Sequence, residues 1–128
     1  MKRKKLFLIV EDFEDSRFMM RRLLEMAGYR VLEATDGEQA VKLALEARPA
    51  LILMDLSLPK LDGLEATKKI RQHKGFGKIP IVAVSAHDSP EYRDEALAAG
   101  CNEYVAKPID FDQLNSLLDR FVTKRRYR

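Results

Sequence analysis

A single cysteine, Cys101, and no tryptophan stand in this chain of 128 residues. One cysteine excludes an internal disulfide framework and a multi-cysteine metal site, and it fits a reducing compartment. It reads as a small, semi-buried apolar residue rather than a nucleophile. The only histidines, His73 and His87, lie apart without metal-ligand spacing and read as surface residues. Long apolar runs are absent too. Leu6–Val10 follows a basic start but ends after five residues at Glu11-Asp12, too short for the core of a signal peptide. Nothing approaches the apolar length that spans a bilayer, so no membrane role is expected and the cytoplasm is the default location. Glycine is sparse: Gly75-Phe76-Gly77 lacks the third glycine and the preceding strand of a dinucleotide loop. There is no Walker sequence, no Gly-x-Ser-x-Gly elbow, no internal repeat and no low-complexity tract.

The composition is that of an ordinary soluble globular protein, with 46% hydrophobic and 34% charged residues. The length points to one domain over 1–128, with a core over about 5–122. Net charge is +3, and the excess sits at the ends: Lys2, Arg3, Lys4 and Lys5 open the chain, and Lys124, Arg125, Arg126 and Arg128 close it. Without an aromatic platform or a basic recognition helix these read as solvated termini, and direct nucleic-acid binding is not expected.

Short β-rich apolar runs alternate with longer amphipathic ones. The short runs are Leu6–Val10, Tyr29–Ala34, Ala50–Met54, Ile79–Ser85 and Glu103–Ala106. Leu51-Ile52-Leu53-Met54 and Ile81-Val82-Ala83-Val84 are apolar throughout, as in parallel strands covered by helices on both faces. Between them, Ser16–Ala27 has Met19, Met20, Leu23 and Leu24 at helical spacing, with both methionines assigned to the core, and Gly28 follows as a stop. Thr35 and Glu38 read as a capping box before a helix that ends short of Pro49. Gly63–Gln72 forms a shorter helix. Ser89-Pro90 opens another that ends at Gly100, and Asp110 with Gln113 opens the last, whose apolar face is Leu114, Leu117, Leu118, Phe121 and Val122. The pattern is βα five times over. It implies an α/β fold with an open, doubly wound parallel sheet, whose ligands bind beyond the carboxyl ends of the strands.

Those ends carry the chemistry. Glu11-Asp12 follows the first strand, Asp55 the third, Ser85 the fourth and Lys107-Pro108 the fifth. Three carboxylates brought together repel one another and demand a cation. Oxygen donors with no His or Cys beside them favour a hard ion, and Mg²⁺ suits a site that also takes phosphate oxygens. Lys107 adds a positive charge and Ser85 a hydroxyl donor, completing a cradle for phosphoryl transfer. Asp55, at the end of a central apolar strand, is the best nucleophile, since carboxylates do form aspartyl phosphates.

Taken together, Glu11-Asp12, Asp55 with Pro59 four residues later, Asp62-Gly63, Ser85-Ala86 and Lys107-Pro108 resemble the receiver domain of two-component response regulators, over about Lys5 to Val122. The resemblance implies a flavodoxin-like five-stranded sheet in the order 2-1-3-4-5. It makes Asp55 the phosphoacceptor, Asp12 a direct Mg²⁺ ligand, Glu11 a ligand acting mainly through water, and the Ser57 backbone carbonyl a further ligand. Lys107 would pair with Asp55 or its phosphoryl group. Ser85 would bond that group, and Tyr104 would be the aromatic switch whose ring moves inward. The Lys107–Pro108 bond would be cis. Ser57 and His87 fall where such domains tune the lifetime of the phosphoryl group. The departures are mild: Glu11 and Ser85 stand where Asp and Thr are also common.

The implied partners are a sensor histidine kinase or histidine phosphotransfer protein, and a downstream protein reading the face of the fourth helix, fifth strand and fifth helix. The last helix runs almost to the C-terminus, so the chain is expected to be either a stand-alone regulator or a receiver cut from a larger protein. Two alternatives use the same features. A phosphatase of the haloacid-dehalogenase type also has an Asp nucleophile after a parallel strand, but it carries a second Asp two residues later, where this chain has Ser57. A phosphorylation-independent interaction module usually lacks an acidic residue or the lysine, and all are present here.

Overall fold

The computed structural model describes residues 5–58, 60–87 and 89–121. The basic ends apart from Lys5, together with Val122 and Pro59, lie outside the described residues. Five strands alternate with five helices: β1 (Leu6–Val10), α1 (Glu14–Met26), β2 (Arg30–Ala34), α2 (Gly37–Ala47), β3 (Leu51–Asp55), α3 (Gly63–Gln72), β4 (Ile81–Ser85), α4 (Pro90–Ala99), β5 (Glu103–Ala106) and α5 (Phe111–Phe121). All strand pairs are parallel, in the order β2-β1-β3-β4-β5.

Because successive strand residues face opposite ways, each strand feeds two cores. Leu8, Val10, Ile52, Met54, Ile81 and Ala83 meet Ala40 and Ala44 of α2, Ala66 and Ile70 of α3, and Ala96 of α4. Phe7, Ile9, Leu51, Leu53, Val82 and Val84 meet Met20 and Leu24 of α1 and Leu114, Leu117 and Leu118 of α5. Both faces of β3 and β4 are therefore covered, which is why their sequences carry no polar alternation.

The helix boundaries follow local chemistry. Ser89 caps α4 through the Tyr92 N–H at 3.4 Å, Pro90 takes the first turn, and Gly100 closes the helix in the left-handed region. At α5 the box is reciprocal: the Gln113 N–H donates to Asp110 Oδ1 at 2.8 Å, and the Asp110 N–H to Gln113 Oε1 at 3.1 Å. Two expectations need correction. The α2 cap is Asp36 rather than Thr35: its extended backbone aims Oδ1 at the Gln39 N–H, 2.8 Å away, and Gln39 rather than Glu38 reaches back, to the Thr35 N–H at 2.7 Å. A carboxylate is the stronger acceptor for free helix N–H groups. Met19 is not in the core. It is 59% exposed, because α1 starts at Glu14 and turns Met20 and Leu24 toward the sheet.

Candidate functional site

The strand order makes β1 and β3 neighbours, and the chain moves away from them in opposite directions. The crevice at such a reversal is where doubly wound sheets bind ligands. Register decides what lines it. Val10 pairs with Met54, so Glu11 and Asp55 leave the sheet side by side. Asp55 pairs with Val84, and Ser85 with Ala106, which brings Ser85 and then Lys107 to the same edge. The Glu11 N–H bonds to the Ala34 carbonyl at 3.0 Å and the Lys107 N–H to the Ser85 carbonyl at 2.8 Å, so the ladder continues into the functional residues. The Lys107–Pro108 bond is cis, as expected.

Glu11 is fully buried and Asp55 is 5% exposed, whereas Asp12 is open to solvent. Carboxylate oxygens of all three lie within 4.8 Å of one another, the one such acidic cluster among the described residues. The Lys107 ammonium lies 2.5 Å from Glu11 Oε1 and 3.3 Å from Asp55 Oδ2. It is thus closer to Glu11 than to Asp55, the partner expected from sequence. Glu11 Oε2 accepts from the Phe13 N–H at 3.1 Å, while among the described residues Oε1 has no aligned donor and only the ion pair with Lys107. A buried carboxylate oxygen without an aligned hydrogen bond, beside two further carboxylates, fits a hard divalent cation such as Mg²⁺.

The electrostatics follow from this crowding. Burial is the largest influence on Asp55 and, with the charge of Glu11, pushes its carboxyl up to about 6, although the Ser57 N–H and Lys107 favour the anion. Burial alone would lower Lys107. Its close contact with the Glu11 carboxylate, joined by Asp55, outweighs burial and raises it. Lys107 therefore stays an ammonium, and two buried carboxylates share it.

The surrounding backbone holds these groups. The Ser57 N–H donates to Asp55 Oδ1 at 3.1 Å, and the His87 N–H donates to Ser85 Oγ at 3.1 Å. Tyr104 is 3% exposed, and its hydroxyl donates to the His87 carbonyl. His87 itself is exposed, as is His73, and its ring stacks on Tyr92 at 4.5 Å. The backbone of a single residue, His87, therefore links Ser85 to Tyr104.

Sequence reading missed two supports. Arg17 donates to the Glu11 carbonyl at 3.1 Å and is held in turn by Glu33 at 3.0 Å; an arginine on an amphipathic helix gives no signal of such a bond. Gly63 lies so close to the end of β3 that a Cβ there would fall 2.2 Å from the Asp55 carbonyl oxygen. The Asp62-Gly63 pair was legible as a motif, but its steric reason was not.

Comparison with known proteins agrees with this architecture. Residues 7–119 match the model of the response regulator receiver domain family. The polar-differentiation response regulator DivK of Brucella anthropi is 39% identical over 102 residues, covering 80% of this chain and 83% of that protein. The receiver domain of the sensor histidine kinase PA1611 from Pseudomonas aeruginosa, solved with a magnesium ion in its active-site cleft, superposes with a TM-score of 0.89 at 37% identity, covering 95% of this chain and all (100%) of that one. The Vibrio cholerae chemotaxis protein CheY4 gives a TM-score of 0.87 at 31% identity, covering 94% of this chain and 100% of that one. With its five-stranded order, its acidic crevice and these relatives, the chain belongs to the response regulator receiver domain family of two-component signalling.

Proposed function

We propose that this receiver domain works as a phosphorylation switch in which Asp55 is the phosphoacceptor and Glu11, Asp12, Asp55 and the Ser57 carbonyl hold Mg²⁺. The observation that carries this reading is the cluster itself: two buried carboxylates and an exposed one share a single ammonium, at the point in the fold where a phosphate-bearing ligand binds. Bound Mg²⁺ would offset the charge of phosphoryl oxygens beside these carboxylates.

The donor is a phosphohistidine on a sensor histidine kinase or a phosphotransfer protein. An oxygen of the Asp55 carboxylate attacks the phosphorus, the P–N bond breaks, and the electron pair leaves with the imidazole. Asp55 must be ionised to attack, and with its carboxyl near 6 it is mostly anionic at pH 7.5. Lys107, already a cation beside Asp55 Oδ2, balances the charge that develops on the phosphoryl oxygens. The Ser57 N–H holds the other carboxylate oxygen and limits its rotation. Ser85 donates its hydroxyl to the phosphoryl group. As Ser85 shifts toward that group, the His87 N–H bonded to its Oγ and the His87 carbonyl bonded to Tyr104 move with it. That rearrangement alters α4, β5 and α5, the face a downstream protein reads. Water attacking the acyl phosphate resets the switch.

Turnover of external phosphoesters is not part of this function, because Ser57 stands where a phosphatase of the Asp-nucleophile class needs a second Asp. No described helix is long and apolar enough to cross a membrane, and the cytoplasm is the proposed location. The test is intact-protein mass after incubation with acetyl phosphate, with and without Mg²⁺. One labile phosphoryl group that requires Mg²⁺ is expected. Equal uptake in the presence of a chelator would remove the metal from the account.

A further inference from the structure

Gly37, the first residue of α2, stands far in sequence from Glu11, Asp12 and Asp55, yet it meets the loop that carries Ser57. A Cβ on Gly37 would lie 1.7 Å from the Leu61 carbonyl oxygen, 2.5 Å from the Leu61 carbonyl carbon and 2.8 Å from Leu61 Cβ. Its backbone is not in the left-handed region, so glycine is required here for proximity and not for conformation. Two of the three obstructing atoms are backbone and cannot swing aside as a side chain would.

The β3–α3 loop has little freedom to yield. Its ends are fixed together: the Gly63 N–H bonds to the Leu56 carbonyl at 3.1 Å, and the Leu56 N–H bonds to the Val84 carbonyl at 3.3 Å. A Cβ on Gly63 would meet Leu56 Cα at 2.7 Å, so this closure is tight. Leu56, Leu58 and Leu61 all pack into the core beneath the loop. A second tie joins the same two elements. Asp36 caps α2 with Oδ1 and pairs through Oδ2 with Lys60 at 3.6 Å. Lys60 itself is held at a φ of 65°, a conformation an L-residue adopts only when its surroundings impose it.

From this we infer that Gly37 is a positioning residue for the metal and phosphoryl site: the first turn of α2 is the seat on which the β3–α3 loop rests, and that seat sets where the Ser57 peptide lies. The inference rests on the reading of Glu11, Asp12 and Asp55 as a Mg²⁺ site. Restoring ordinary contact past a new methyl group requires the Leu61 backbone to retreat by roughly 2 Å. With both loop ends fixed, residues between Leu56 and Gly63 absorb that shift. The Ser57 peptide lies among them, and its N–H already holds Asp55 Oδ1. Mg²⁺ demands near-ideal octahedral geometry, so it tolerates little displacement of its oxygen donors.

The experiment measures the Mg²⁺ dissociation constant by calorimetry for the wild type, Gly37→Ala and Gly77→Ala, with folding checked by circular dichroism. Gly77 has no atom within 4 Å of an added Cβ and serves as the control. Gly37→Ala is expected to bind Mg²⁺ roughly 10-fold to 100-fold more weakly, the range for residues that hold a metal ligand in place, while Gly77→Ala binds as the wild type does. A folded Gly37→Ala with wild-type affinity, or equal weakening in both variants, would overturn the inference. Absence of Mg²⁺ binding by the wild type would instead overturn the metal site on which it rests. Should Gly37→Ala not fold, ¹H–¹⁵N spectra of the wild type titrated with MgCl₂ decide. The Gly37 amide shifting with the same dissociation constant as that of Ser57 supports the seat, and a Gly37 amide that stays still refutes it.

Discussion

Asp55 is held in a state it resists. Its carboxyl ordinarily titrates near 3.8, and here it is pushed up to about 6, with burial the first cause and Glu11 adding to it. The folded protein therefore holds a proton on this group at pH values where the unfolded chain has released it. Stability from this source is fully present below pH 4 and is lost as the pH rises through 6. A shift of this size corresponds to roughly 3 kcal/mol at most. Asp55→Asn removes the titration, so the metal-free variant is expected to be more stable than the wild type at pH 7.5, by about 1–3 kcal/mol, with the gap closing toward pH 4. Urea unfolding in EDTA across that pH range measures it. Lys107 gives the opposite sign. Lys107→Ala leaves Glu11 Oε1 buried without the one cation that pairs with it among the described residues. A loss of roughly 2–4 kcal/mol is expected in EDTA, because an uncompensated buried charge is the costly outcome. Unchanged stability in that variant would contradict the pairing of Lys107 with Glu11 as a support of the fold. At this scale the motif residues were legible: Glu11, Asp12, Asp55, Ser85 and Lys107 do converge on one edge of the sheet. What was not legible was that Lys107 sits nearer Glu11 than Asp55. That depends on side-chain reach across a register that only the paired strands define.

The secondary-structure elements show where local chemistry was sufficient and where packing overrode it. The α5 box was readable from Asp110 and Gln113 because both partners lie within one turn. The α2 cap was misassigned by one residue because the spacing of Thr35 and Glu38 fits a box, whereas the extended backbone at Asp36 puts the cap there. The exposure of Met19 illustrates another limit. Helical spacing says that Met19, Met20 and Leu23 share a side, but only the docking angle of α1 says which edge of that side is wet. With Phe13 and Phe18 also exposed, Met19 leaves an apolar margin on α1. The caps give a graded prediction. Asp110 accepts at 2.8 Å as a carboxylate, and Ser89 accepts at 3.4 Å as a hydroxyl. Asp110→Ala is expected to cost about 1 kcal/mol and Ser89→Ala about half of that or less. Thermal unfolding of the two variants compares them, and the reverse ranking would contradict the cap geometry.

Across the whole molecule, the sequence pattern carried the architecture because each layer leaves its own mark. Strands covered on both faces lose polar alternation, as Leu51–Met54 and Ile81–Val84 do, and helices covered on one face keep it. The strand order came from family resemblance, since strand pairing is non-local and leaves no periodic signal. The same order brings Glu11 and Asp55 side by side while the chain's connections diverge around them, so the fold concentrates negative charge at one crevice. A cation that binds there stabilises the folded state by mass action. Mg²⁺ at ten times its dissociation constant is expected to add about 1.4 kcal/mol, or roughly 5 °C in Tm for a chain of this length. The gain should be much smaller in Asp55→Asn. Equal gains in both proteins would place the ion elsewhere.

The account stands on Asp55 being the residue that takes the phosphoryl group. The most direct measurement is to load the protein from a phosphodonor in Mg²⁺, quench with borohydride, and sequence the peptides by mass spectrometry. Borohydride reduces an aspartyl phosphate to homoserine, so the account predicts homoserine at position 55 in loaded protein and none when Mg²⁺ or donor is withheld. Homoserine at another aspartate, or a stable phosphoester in place of a reducible acyl phosphate, would contradict it.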